Sequence, residues 1–178
     1  MVIHTDATGK HNNILSLEKI MEKKNKTEGR PEAKLLRMDN VAIVVQDLDA
    51  AMEFFTELGL ALEGRMILEG DFVDKTVGLR DVRSEIAMMR MPDGHGGIEL
   101  TKYHTPSAIN PDPKIAPPNM LGLHRVMFAV TNIDEMIERL RKHGAEVLDE
   151  VVQYENIYRL CYLRGPEGII LALAERIG

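Results

Sequence analysis

The stretch Val41-Ala42-Ile43-Val44-Val45-Gln46-Asp47-Leu48-Asp49 decides the fold, because it joins a strand directly to a helix. Its first five residues are apolar and mostly β-branched, a composition typical of a buried strand. Asp47 is a good helix N-cap, and the apolar residues that follow it recur every three or four positions. The sequence therefore predicts a strand over Leu36–Val45 and a helix that begins after Asp47 and ends at Gly59.

Three further strands are predicted behind this helix. They cover Leu60–Glu69, Ser84–Met91 and Ile98–Tyr103. Residues 104–120 then contain five prolines, which lack the amide hydrogen that a helix or a central strand needs. This segment is predicted to be a connecting loop.

The same order of elements then recurs. The second helix cap, Asn132, stands 85 residues after Asp47, and the strand before it is predicted over Leu123–Val130. The helix after it is predicted to end at Gly144, with cations in its last turn. Strands are predicted over Val147–Gln153, Ile157–Leu163 and Ile169–Ala174. The sequence is therefore an internal duplication of a β-α-β-β-β unit.

Each predicted helix can cover only one face of its sheet, so the opposite face stays open. The expected fold class is α+β, with tandem βαβββ modules that form a curved mixed sheet around a central cup and helices on the outside. Residues 1–34 are a polar N-terminal extension, and residues 35–178 are a single domain. Within that domain, module one is 35–105, the proline-rich linker is 106–120 and module two is 121–178.

The N-terminal extension leaves two interpretations open. Ile14, Leu17 and Met21 fall at helical spacing behind a potential cap at Asn13. One interpretation is a short helical tail beside a mobile linker over 23–34, and the other is an arm that docks on a partner subunit.

Composition and charge exclude several functional classes. The 178-residue chain carries a net charge of −6, and seven basic and five acidic residues in 1–34 leave −8 for the rest. An acidic body repels nucleic acid, and no apolar run approaches the length of about 20 residues that spans a membrane. The lone cysteine, Cys161, fits a reducing compartment, and no export signal is visible, so a cytoplasmic protein is expected.

The sequence resembles the vicinal oxygen chelate superfamily. This group includes glyoxalase I, methylmalonyl-CoA epimerase, extradiol dioxygenases, and fosfomycin- and bleomycin-resistance proteins. The resemblance rests on residues 41–49, on Ile98-Glu99-Leu100 and on Pro166-Glu167-Gly168, and it covers residues 35–178. It implies a glyoxalase- and dioxygenase-like fold whose cup holds a ligand.

The resemblance also implies four metal-ligand positions, in the first and last strand of each module. They are occupied here by Asn40, Glu99, Arg125 and Ala172. Only Glu99 is a good ligand, since an amide is a weak donor, a guanidinium coordinates nothing and alanine has no donor. The sequence therefore predicts a degenerate metal site and no cofactor, with an atypically held divalent metal as the alternative.

His124, the neighbour of Arg125, is a competing candidate for the metal-ligand position in this strand. Because side chains alternate along a strand, His124 is expected on the helix side, with Val126 and Phe128, while Arg125 faces the cup. A β-bulge would turn His124 inward, which is the alternative.

The same alternation gives the residues expected to bind a ligand. They combine a few polar groups with small apolar ones, as small-molecule sites do: Asn40, Glu99, Thr101, Tyr103, Arg125, Met127 and Ala172. Arg125 either forms an ion pair with Glu99 or binds an anionic ligand. Glu85 and Arg159 are expected at exposed strand positions or at the pocket mouth, and Cys161 as buried filler.

Three functional hypotheses follow. The first is a small-molecule-binding protein, similar to the resistance proteins that sequester ligands, which holds an anionic organic molecule without a complete metal site. The second is a lyase or isomerase of glyoxalase or epimerase type with Glu99 as the catalytic base, so whether the protein is an enzyme stays open. The third is a non-catalytic interaction module. The resemblance also implies a homodimer.

Overall fold

The computed structural model describes residues 33–110, 115–123 and 125–178. The chain divides into two units, Met1–Arg37 and Met38–Gly178, and the second unit holds every described helix and strand. The predicted helical tail with Ile14, Leu17 and Met21 lies outside the described residues, and so does His124.

The described residues form nine strands and three helices. The first unit of the repeat contains β1 (Asn40–Val44), α1 (Leu48–Leu58), β2 (Ala61–Glu69), α2 (Asp71–Val77), β3 (Arg83–Arg90) and β4 (Gly97–Thr105). The second contains β5 (Val126–Val130), α3 (Ile133–Arg141), β6 (Glu146–Val147), β7 (Val152–Tyr154), β8 (Tyr158–Arg164) and β9 (Ile170–Arg176). A short 3-10 turn, Pro166–Gly168, precedes β9.

The strands form two hydrogen-bonded sheets. One has the order β1-β4-β3-β2, and the other has the order β5-β9-β8-β6 with β7 also paired to β8. In each sheet the strand before the long helix runs parallel to the last strand of the module, and the other pairs are antiparallel. The α+β class and the repeated order of elements are confirmed.

Three of the four helix ends predicted from single residues are confirmed, whereas α3 ends at Arg141 with Lys142 as its cap, before the predicted end at Gly144. The Asp47 carboxylate accepts a hydrogen bond from the Ala50 amide at 3.0 Å, and Gly59 ends α1 with a φ of 114°. Asn132 caps α3 in the same way, by accepting a hydrogen bond from the Glu135 amide at 3.2 Å. Local capping chemistry therefore sets the start of both long helices.

Several local predictions differ from the structure, and the first strand of each module begins later than predicted, at Asn40 and at Val126. The helix α2 was not predicted, because its seven residues are too few to show a helical apolar period. The strand predicted over Val147–Gln153 is divided into the short strands β6 and β7, which pair separately with β8.

One hydrophobic core joins the two modules. It contains residues from α1, α3 and the helix-facing side of both sheets. Phe54 and Phe55 of α1 are fully buried, with their rings edge to face at 5.4 Å. An added methyl group on Gly165, just before the 3-10 turn of the second module, would stand 3.0 Å from the Phe54 ring. Arg139 of α3 also donates a hydrogen bond to the carbonyl oxygen of Glu57 at 2.6 Å.

This core explains how the modules are arranged. Among the described residues the mixed strands form two sheets without a hydrogen-bonded ladder between them, and the modules contact each other through α1 and α3. The side of each sheet that faces away from the helices remains open to solvent along its edge strand, β1 or β5.

Phe54→Ala is expected to destabilise the protein by about 3–5 kcal/mol, because the substitution removes a buried ring where α1 meets the second sheet. Urea unfolding measures this loss. Phe72→Ala is the matched control, since Phe72 is 81% exposed and its removal should cost no more than about 0.5 kcal/mol. Equal unfolding midpoints for the two variants would contradict the shared core.

Candidate functional site

Burial alternates along the edge strand of each sheet. In β1, Ile43 is buried in the core and Val44 is 47% exposed. In β5, Phe128 is buried and Met127 is 50% exposed. The predicted alternation is therefore observed along these two edge strands.

On the first sheet, three candidate residues form a hydrogen-bonded group around Glu99. The Asn40 amide nitrogen donates to Glu99 Oε2 at 3.4 Å, and the Thr101 hydroxyl donates to Glu99 Oε1 at 3.1 Å. They meet because β1 and β4 are parallel neighbours, with Ala42 opposite Glu99 in the register. The carboxylate is half-buried and each of its oxygens has one donor, so its orientation is fixed.

Tyr103 continues this face of β4 beyond Thr101. It lies opposite Ser84 of β3 in the register, and it is half-buried while Ser84 is buried. The open face of the first sheet thus offers a carboxylate, an amide, a hydroxyl and a phenol along two adjacent strands.

On the second sheet, Arg125 stacks on an aromatic ring. Its guanidinium carbon lies 5.0 Å from the centroid of the Tyr162 ring. Met127, Ala172 and Tyr162 lie side by side across β5, β9 and β8 in the register. Ala172 is fully buried, and because it carries only a methyl group it leaves room for Arg125 to reach Tyr162.

The two groups make no hydrogen bond or ion pair with each other in the described part of the chain. Glu99 is hydrogen-bonded to Asn40 and Thr101, and Arg125 contacts Tyr162. No ion pair joins Glu99 to Arg125 among the described residues, so the internal pair that the sequence left open does not form in a single chain. Arg125 is exposed.

The four positions where the fold family carries metal ligands do not fit a divalent ion. The Asn40 amide is engaged with Glu99, Arg125 is a cation, and Ala172 offers no donor atom. No group of three or more His, Cys, Asp or Glu side chains is placed to hold a metal ion within 33–110, 115–123 and 125–178.

Glu85 and Arg159 lie on the helix side of their sheets. Each belongs to an ion cluster that sequence reasoning missed. Arg65 contacts Asp49 and Glu85, both at 2.6 Å, and Arg159 contacts Asp134 at 2.7 Å and Glu175 at 3.3 Å. In both modules the cluster ties the first turn of the long helix to its sheet. The aspartates are 85 residues apart, so the repeat could have revealed them.

These arginines shift the pKa values of their partners. Hydrogen bonds from Arg159 lower the pKa of Asp134, and a hydrogen bond from Arg65 lowers the pKa of Glu85, to which His104 contributes less. A lowered pKa stabilises the fold while the carboxyl group is ionised, and this contribution is lost as the pH falls through the folded-state pKa.

Cys161 is buried in the shared core, as expected for filler. Burial raises the pKa of its thiol, which keeps it protonated and unreactive at neutral pH. Cys161 therefore fits a structural role.

A cavity of about 310 Å³ lies between the end of β1, the linker and the 3-10 turn before β9. Beside this cavity, the Glu167 carboxylate accepts a hydrogen bond from the backbone N–H of Gln46 at 2.7 Å. Arg164 fixes the linker by donating to the carbonyl oxygen of Ala116 at 2.9 Å. No sequence pattern indicated this cavity, since the linker was predicted only as a connecting loop.

The fold and the open faces define a class of protein. The family model for the Glyoxalase/Bleomycin resistance protein/Dioxygenase superfamily matches residues 37–173. The chain belongs to this superfamily, which confirms the resemblance seen in the sequence. No helix among the described residues has the length and apolar character needed to cross a membrane.

Solved structures agree with this assignment. A glyoxalase family protein from Bacillus cereus is 57% identical, with a TM-score of 0.79, over 84% of this chain and 99% of that one. A glyoxylase/bleomycin resistance protein/dioxygenase domain from Frankia is 22% identical, with a TM-score of 0.57, over 80% of this chain and 93% of that one.

A fosfomycin resistance protein from Listeria monocytogenes, solved with Mn(II) and a dihydroxypropylphosphonic acid, shares the fold. It is 15% identical, with a TM-score of 0.52, over 80% of this chain and 94% of that one. No curated protein sequence matches the chain.

Arg159→Gln is expected to lower the midpoint of urea unfolding at neutral pH. Below about pH 4, where carboxyl groups ordinarily become protonated, the midpoint of the variant should fall less steeply with pH than that of the wild-type chain. The reason is that Asp134 then titrates with similar pKa values in the folded and unfolded chains. Urea unfolding between about pH 3 and pH 7 measures this, with the exposed Arg80→Gln as the control. A curve parallel to the wild-type curve would contradict the role of Arg159.

Proposed function

We propose that this protein binds a small anionic organic molecule on the open faces of its sheets, without a complete metal site. The observation that carries this proposal is the exposed Arg125 guanidinium, which stacks on Tyr162 and has no carboxylate partner in the described residues. An arginine presents a rigid fork of donors that matches a carboxylate or a phosphate.

The surroundings of Arg125 support a ligand that is partly apolar. Met127 and Ala129 are exposed beside it on β5, and Ala42 and Val44 are exposed on β1. An apolar surface with few polar groups is typical of small-molecule sites. Such a surface favours an organic anion over an inorganic one.

Glu99 is proposed to orient the ligand from the first sheet. Its carboxylate is fixed by Asn40 and Thr101, so it can accept a hydrogen bond from a ligand hydroxyl or amine in a defined direction. Tyr103 lies farther along the same strand.

The second candidate is a glyoxalase- or epimerase-type lyase or isomerase. It is favoured by the long 3.4 Å contact between Asn40 and Glu99, which leaves Glu99 Oε2 able to accept a proton as a general base. A divalent metal held by other residues would belong to this candidate.

We also infer a homodimer, because no hydrogen bond or ion pair joins the groups around Glu99 and Arg125 within the described part of one chain. A second copy that covers the exposed faces of β1 and β5 would bring one group of each kind together. Sedimentation equilibrium should give twice the chain mass of 20.0 kDa. A monomeric mass at micromolar concentration would contradict this inference.

The lone cysteine supports a cytoplasmic location.

Arg125→Gln is expected to weaken the binding of small organic anions by about 10- to 100-fold, since a hydrogen bond to a charged group contributes about 1.5–3 kcal/mol. Ligand-observed NMR with a set of carboxylates, phosphonates and matched neutral amides measures this. Arg80→Gln is the matched control on an exposed arginine. Unchanged anion binding by Arg125→Gln would contradict the proposal.

The Glu99→Gln variant distinguishes the hypothesis of a binding protein from the hypothesis of an enzyme. A binding protein should retain anion affinity within about twofold, because Gln keeps the size of the side chain and one acceptor oxygen. The enzyme should exchange a carbon-bound ligand proton for deuterium in D2O, and the variant should lose this exchange. If no compound binds to the wild-type chain, the interaction module is favoured instead.

A further inference from the structure

Arg125 and Tyr162 form a unit whose geometry depends on Ala172. Tyr162 of β8 and Ala172 of β9 are register partners, and Ala172 is in turn the partner of Met127 on β5. Arg125 stands two residues before Met127, on the same face, so it reaches Tyr162 diagonally. A larger residue than alanine at position 172 would stand in its path.

Stacking on a ring limits how the guanidinium can turn. A guanidinium over an aromatic face is attracted to the ring, and its N–H groups point outward in the guanidinium plane. Those N–H groups are then directed at a ligand in a fixed plane. The Arg125 side chain then loses less conformational freedom when a ligand binds, which increases affinity.

The other arginines on this face are already engaged. Arg164 donates to the carbonyl oxygens of Gly168 at 3.1 Å and Ala116 at 2.9 Å. Arg176, at the far end of β9, donates to the carbonyl oxygen of Gly178 at 2.8 Å. The described strands of the second sheet contain no lysine. Of the arginines described on this face of the second sheet, Arg125 is the one that makes no hydrogen bond to a carbonyl oxygen.

A single planar cation matches a single planar anion. A carboxylate carries one negative charge and accepts two parallel hydrogen bonds from one guanidinium, whereas a phosphonate dianion needs a second cation to balance its charge. The exposed Met127 and Ala129 next to Arg125 give an apolar body a surface to contact.

We propose that Tyr162 is the positioning residue of this site, and that the site selects a monocarboxylate with an apolar body. This rests on the proposed function, which makes Arg125 the anion-binding residue. Tyr162 acts through Arg125, by holding the guanidinium in the plane that suits a carboxylate.

Calorimetric titration of the full chain with benzoate, phenylphosphonate and benzamide tests the ligand class. At about pH 8 these probes carry one, two and no negative charges. Benzoate should bind the wild-type chain more tightly than either of the others. Tighter binding of phenylphosphonate would overturn the carboxylate selection.

Substitutions at position 162 test the positioning role. Tyr162→Phe keeps the ring face and should bind benzoate more tightly than variants without a ring at position 162. Tyr162→Leu should raise the dissociation constant of benzoate about two- to fivefold, the loss expected for an exposed cation–aromatic contact. Tyr162→Met is a second ring-free variant that keeps the proposal testable if the leucine variant does not fold.

The Arg125→Gln background distinguishes the two proposals. There Tyr162→Leu should have no further effect on benzoate binding, because the cation that it positions is gone. If Arg125→Gln weakens binding but Tyr162→Leu and Tyr162→Met do not, the positioning role is wrong and the proposed function stands. If Arg125→Gln itself binds benzoate normally, the proposed function fails.

Discussion

The burial of both sheets against one shared core determines which residues of this protein can meet a ligand. Phe54 lies where α1 contacts the second sheet, and it makes the helix-facing sides of both sheets part of the same interior. Because side chains alternate along a strand, the residues that do not enter this core point to the opposite side of the sheet. Glu99, which is half-buried, and Arg125, which is exposed, lie away from the core for this reason.

The two sides of the sheets use arginine differently. On the helix side, Arg65 and Arg159 are each held by two carboxylates and tie a helix to a sheet. On the open side, Arg125 is held by an aromatic ring and makes no ion pair with any described residue. A paired arginine contributes to the fold, whereas a stacked and exposed arginine keeps its hydrogen-bond donors available.

Position 172 links this arrangement to the fold family. The resemblance implies a carboxylate ligand there, whereas alanine offers no donor atom and leaves the path from Arg125 to Tyr162 open. The side chains at positions 125 and 172 thus combine a cation with a position that has no metal-ligand atom. Both favour a site in which a guanidinium supplies the positive charge.

Local rules made most of the fold predictable from the sequence. Asp47, Gly59 and Asn132 act on their own backbone neighbours, so capping chemistry predicted the start of both long helices and the end of α1. The hydrophobic pattern predicted the strands and the face of Arg125. What it did not predict depends on distant contacts, since Tyr162 is 37 residues from Arg125 and nothing near either residue signals the stacking. The meeting of the modules through α1 is tertiary in the same way.

The central claim is that Arg125, and not a metal ion, holds the anion. The most direct test is the dissociation constant of benzoate for the wild-type chain, measured by calorimetry before and after the protein is stripped on a chelating resin. If Arg125 holds the anion, the dissociation constant should be the same in both measurements. Loss of binding on stripping, with recovery on adding stoichiometric zinc, nickel, manganese or iron, would contradict this claim.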